Sequence, residues 1–170
     1  MKKGAMRVAT IAVLIALALA LSVAEGWLPL AFIPIPGVKL GLANIITLFA
    51  LCFLNFRDAT VILMLRCLLA SLFGSGIAAF AFSITGGIFA LVTMYILLKS
   101  GKFSLAGVSI AGAAMHGVGQ IIASFFMLST FSVVFYLPFL LIAAIFTGTL
   151  TGTVSYVLFN HLKKISKTNV

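Results

Sequence analysis

Ala59-Thr60-Val61-Ile62-Leu63-Met64-Leu65-Arg66-Cys67-Leu68-Leu69-Ala70 is an apolar run interrupted by one cation. In a soluble protein it would read as a core helix. In this chain 64% of residues are hydrophobic and only 8% are charged, so it reads as part of a membrane helix. A cation at mid-membrane costs at least about 2.5–3.5 kcal/mol even on the lenient insertion scale. Arg66 is therefore either a partnered, functional group or an Arg that snorkels to an interface or rests on helix carbonyls.

The whole composition agrees. The chain has 170 residues, 11 Lys and Arg against 2 Asp and Glu, and a mean hydropathy of +1.33. Those values exclude a soluble globular domain and a disordered chain. A helical span needs roughly 20 apolar residues, so a chain of this length holds about six with short loops. A net charge of +9 would suit nucleic acid, but the basic residues form no single patch and none is expected to bind it. Cys52 and Cys67 fall within apolar runs and read as small buried hydrophobes.

Working outward from Arg66, apolar stretches cover residues 8–24, 40–54, 59–73, 77–98, 105–128 and 135–159. The second and third would be only ~22 Å long as helices, short for a span. Lys2, Lys3 and Arg7 precede the first stretch, and Arg57 separates the second from the third. Lys99 and Lys102 lie between the fourth and fifth, and Lys163, Lys164 and Lys167 follow the sixth. The loops on the other side carry only Lys39. By the positive-inside rule both termini are cytoplasmic. The expected fold is thus an all-α membrane protein of six transmembrane helices, a single multi-pass domain with both ends in the cytoplasm. A competing reading takes the basic start, the Ala/Leu run and Ser22-Val23-Ala24 as a signal peptide and its cleavage site.

Residues 25–39 do not resemble a span, because Pro29, Pro34 and Pro36 forbid a regular helix. Trp27, Leu28, Leu30, Phe32 and Ile33 are nevertheless too apolar for a solvated loop. The segment reads either as a lid or re-entrant plug, or as a loop lying in the interface with Trp27 as anchor.

Polar residues inside the apolar stretches are the candidates for function. His116 and Gln120 are four residues apart and share a helix face, flanked by Gly112, Gly117 and Gly119. They bond across to another helix or line a polar pocket. Ser83, with Thr85, Gly86 and Gly87, adds polarity to the fourth helix, and Lys39 and Asn44 open the second. Glu25, Asn44, Arg66, Ser83, His116 and Gln120 are all placed in the middle or outer half of the membrane. Ala12, Ala16 and Ala20 recur every four residues, a small-residue stripe suited to close helix approach within the chain or to a partner. Gly148 and Gly152 repeat that choice on the sixth helix. The chain has no GxxxxGK[ST] phosphate loop and only Glu25 and Asp58 as carboxylates, at opposite membrane faces. Catalysis by this chain alone is not expected, since a diphosphate–Mg²⁺ enzyme needs several carboxylates around its metal ions.

The motifs carry a resemblance. Pro36-Gly37-Val38-Lys39-Leu40-Gly41-Leu42-Ala43-Asn44-Ile45-Ile46-Thr47-Leu48, Arg66 with Leu68-Leu69-Ala70-Ser71-Leu72, Ser83-Ile84-Thr85-Gly86-Gly87, and the segment from Gly112 to Gln120 are similar to the bacterial Gx transporter family. That family is also described as membrane-type heptaprenyl diphosphate synthase component I. It usually has Asn after the His, where this chain has Gly117. The family in turn is similar in size and layout to the substrate-binding S components of energy-coupling factor (ECF) transporters. The resemblance implies three things. Ala12, Ala16 and Ala20 would dock on a T component. A small vitamin-, quinone- or isoprenoid-related solute would bind near the outer face beneath the first loop, with Glu25, Trp27, Lys39, Asn44, Arg66, Ser83, His116 and Gln120 as candidate contacts. ATP would be used by partner ATPase subunits, with no cofactor or metal bound by this chain. The other reading it allows is a non-catalytic subunit supporting heptaprenyl diphosphate or menaquinone synthesis. A membrane partner of a flavin or redox system is a third.

Overall fold

The computed structural model describes residues 2–27 and 39–168. The proline-rich part of the first loop, residues 28–38, lies outside them, and with it the choice between lid and interfacial loop. Among the described residues every regular element is helical. In order they are α1 (Lys2–Gly26), α2 (Asn44–Phe53), α3 (Phe56–Ala70), a π-helical turn (Ser71–Ser75), α4 (Gly76–Ser100), α5 (Leu105–Leu128), a 3-10 turn (Phe131–Tyr136) and α6 (Leu137–Thr168). Four segments are long and apolar enough to cross a membrane: Gly4–Gly26, Gly76–Ser100, Leu105–Leu128 and Phe131–His161. The six helices are present as expected, but α2 and α3 do not qualify as spans by the same measure. α2 has ten residues, and α3 has fifteen and carries Arg57, Asp58 and Arg66.

Local sequence explains the ends. Asn55, in extended backbone, accepts a hydrogen bond from the Asp58 N–H at 2.9 Å and so caps α3. Ser104 caps α5 through the Gly107 N–H. Gly76, with φ at +76°, lets the chain leave the π turn and begin α4.

α5 is packed on both sides by glycine contacts. Toward α4, a Cβ added to Gly119 would stand 2.8 Å from the Gly86 Cα and the Thr85 carbonyl oxygen. Toward α6, a Cβ on Gly148 would stand 2.5 Å from the Ile110 Cα, and one on Gly152 would stand 2.7 Å from the Ala106 Cα. The Gly148/Gly152 motif is therefore internal packing between antiparallel α5 and α6. The hydroxyls of Ser109 and Thr151 hydrogen bond across the same seam. Gly148→Ala should lower stability by about 1–3 kcal/mol, the usual cost of overpacking, because the obstacle is backbone. Gly4→Ala, with nothing within 4 Å, should have no such effect. Unfolding of both variants in detergent checks the difference.

α1 packs on α3 and α2, and short α2 touches each of the other five helices. α1 and α3 run parallel. Near their starts Arg7 clasps Asp58 with both edge nitrogens, Nε to Oδ2 at 3.0 Å and Nη2 to Oδ1 at 2.8 Å. Further along, Arg66 reaches Ser22. The bundle thus has a basic end, where Arg7, Arg57, Lys99 and Lys102 lie, and an opposite end that gathers Glu25, Lys39 and Arg66. α1 turns Leu14, Ala18, Ser22 and Glu25 inward, whereas Ala12, Ala16 and Ala20 are exposed. The alanine stripe is not used for packing within the chain. Ser22, in the Ser22-Val23-Ala24 stretch, is a buried contact of the bundle.

Candidate functional site

The end of the first loop is fixed from two sides. Gln120, on α5, pairs with the backbone of Lys39 in both directions: the Lys39 N–H donates to Oε1 at 2.7 Å, and Nε2 donates to the Lys39 carbonyl at 2.6 Å. Glu25, in the last turn of α1, accepts the Gly41 N–H just ahead of α2. A carboxylate there also meets the positive end of the α2 dipole. Glu25 is therefore a helical residue that holds the turn ahead of α2, not part of a loop. The Lys39 ammonium donates to the Ser22 carbonyl at 3.2 Å. Burial lowers the Lys39 pKa, and nearby Glu25 opposes that shift.

Beneath this clasp lies a set of polar groups with spare capacity. Arg66 is 2% exposed and makes one hydrogen bond, Nη1 to the Ser22 hydroxyl at 3.0 Å. Among the described residues its Nε and Nη2 are buried without a hydrogen-bond partner, as are both side-chain polar atoms of Asn44. The His116 ring lies between two glycines. A Cβ on Gly86 would stand 2.9 Å from Nδ1, and one on Gly41 would stand 3.0 Å from Cδ2 and 2.8 Å from the Asn44 Nδ2. Gly41, with φ at +85°, is needed for both its backbone and that space. His116 Nε2 likewise has no hydrogen-bond partner among the described residues. Arg66 is within electrostatic reach of Glu25, Lys39 and His116, so the set is one neighbourhood. Ser83 is buried on the α4 face that also presents Gly86 and Gly87.

Of the residues picked from sequence, Glu25, Lys39, Asn44, Arg66, Ser83, His116 and Gln120 are buried at this end of the bundle. Trp27 is 81% exposed and stands apart from them. Sequence reasoning missed Ser22, whose hydroxyl and carbonyl orient both cations. It also missed that Gln120 and Glu25 are occupied in holding the Lys39–Gly41 backbone. Unpaired buried guanidinium and carboxamide groups are rare in folded proteins because each costs desolvation without return.

Comparison with known proteins now adds the lineage. The family model for heptaprenyl diphosphate synthase component I matches residues 14–158. The chain belongs to this family. Arg66, Asn44, His116 and the rest of the buried set all fall within the matched span, as do Ala16 and Ala20, while Ala12 lies just before it. No curated protein and no solved structure gives a significant match. Component I membership brings a membrane-embedded helical bundle with it. The two carboxylates of the sequence are each engaged, Glu25 with Gly41 and Asp58 with Arg7, at opposite ends of that bundle.

Proposed function

We propose that this component I family member is a solute-binding membrane subunit, similar to an S component, that works with a separate energy-coupling module. The observation that carries this reading is Arg66: a buried guanidinium with two unpaired nitrogens, grouped with unpaired Asn44 and His116 under a clasped loop end. A residue that merely snorkelled would place its head in water. The exposed Ala12/Ala16/Ala20 face supports a second membrane protein docking there, and ATP hydrolysis would come from that partner's ATPases. Both termini would face the cytoplasm, with the buried polar set toward the outside. A cytoplasm-only reporter fused after Lys167 should then give signal, and one inserted in residues 129–136 should not; the reverse pattern would sink this orientation.

The family description favours one other reading, a non-catalytic subunit that holds a prenyl chain for isoprenoid or quinone synthesis. In its favour is an apolar groove of about 330 Å³ beside Leu40, lined by Phe139, Ile142 and Phe146. Purification from native membranes with partners, followed by mass spectrometry, separates the two. A T-like protein and ATPases would support transport, and a prenyl synthase subunit would support the other. Ala16→Trp should abolish the first association while the protein still inserts, because close helix approach needs a small side chain.

A further inference from the structure

Resting on the solute-binding reading, we infer that the molecule held by Arg66 carries one negative charge on a planar, carboxylate-type group, and is not a diphosphate. The argument begins with charge. Glu25, Lys39 and Arg66 are the only charged residues away from the basic end, and residues 28–38 contain none. Glu25 and Lys39, one carboxylate and one ammonium, sum to zero. Arg66 is therefore the surplus, a single buried positive charge. Burying net charge is costly, so a bound molecule that brings a single negative charge relieves the site, and one that brings three reverses the imbalance.

The geometry of the unpaired atoms adds a shape. Nε and Nη2 form one edge of a guanidinium, two parallel donors that match the two oxygens of a carboxylate. This chain shows that match at its other end, where the same two nitrogens of Arg7 take both oxygens of Asp58 at 3.0 and 2.8 Å. A diphosphate could also meet that edge, but it would need further cations. Among the described residues no three His, Cys, Asp or Glu groups lie together to hold a metal ion. Asn44 and the His116 Nε2 remain to hydrogen bond the uncharged part of the molecule.

Four probes with one tail test this: hexanoate, hexyl phosphate, hexyl diphosphate and hexanol, titrated at pH 7.5 against the full chain in detergent. Arg66→Gln serves as the subtractive control for partition into micelles. Hexanoate should bind about tenfold or more tighter than hexanol and than hexyl diphosphate, and Arg66→Gln should remove that advantage. Glu25→Gln, which keeps an acceptor for the Gly41 N–H but leaves two buried positive charges, should shift preference toward hexyl phosphate, a near-dianion at this pH. Tightest binding by hexyl diphosphate, lost in Arg66→Gln, would overturn the charge inference and leave the solute-binding reading standing. No binding by any probe, or binding unaltered in Arg66→Gln, would defeat that reading and this inference with it.

Discussion

Gln120→Ala should reduce unfolding stability in detergent by about 2–4 kcal/mol, one of the two largest effects expected in this protein. The loss comes from Lys39 more than from Gln120. Removing the carboxamide takes away two hydrogen bonds and leaves a buried N–H and a buried carbonyl unsatisfied, at roughly 1–3 kcal/mol each. Gln120→Glu should fall between, because it keeps an acceptor for the Lys39 N–H and gives up the donor to the Lys39 carbonyl. Solute affinity should drop in both variants in step with the loosening of the Lys39–Gly41 backbone. Equal stability of wild type and Gln120→Ala would show that the clasp contributes nothing to the fold.

Arg66→Lys should weaken solute binding by about 10- to 100-fold, the worth of a charge-assisted hydrogen bond of about 1.5–3 kcal/mol. The substitution preserves charge and removes the planar edge, so a loss of this size isolates geometry from charge. Arg66→Gln should lose at least as much. His116→Ala and Asn44→Ala should lose less, as neutral contacts do. A thermal melt of each variant separates the alternatives: lowered stability with unchanged affinity per folded molecule would make Arg66 an internal brace through Ser22.

The helices were legible because apolar content alone marks them in a membrane chain. The fifth stretch, residues 105–128, coincides with α5. The polar candidates were legible for the same reason: Arg66, Asn44, His116 and Gln120 stand out against an apolar background. Their partners were not. Arg7 and Asp58 are 51 residues apart, and Gln120 and Lys39 are 81 apart, so no local pattern connects either pair. Ser22 looked like one small residue among others in an Ala/Leu run, and only the parallel packing of α1 on α3 places it against Arg66. Glu25 looked like loop because prolines follow it, yet α1 continues through it and turns its carboxylate to the start of α2. The Gly148/Gly152 motif and the alanine stripe were indistinguishable as patterns of small residues. Burial parts them, with the glycines set against α5 and the alanines facing outward.

Native mass spectrometry of the protein released from its own membranes, wild type beside Arg66→Gln, tests the binding role of this site most directly. Wild type should carry a small-molecule adduct of fixed mass, and Arg66→Gln, with a comparable melt, should lack it. The same adduct at the same occupancy in both proteins would contradict a solute site built on Arg66.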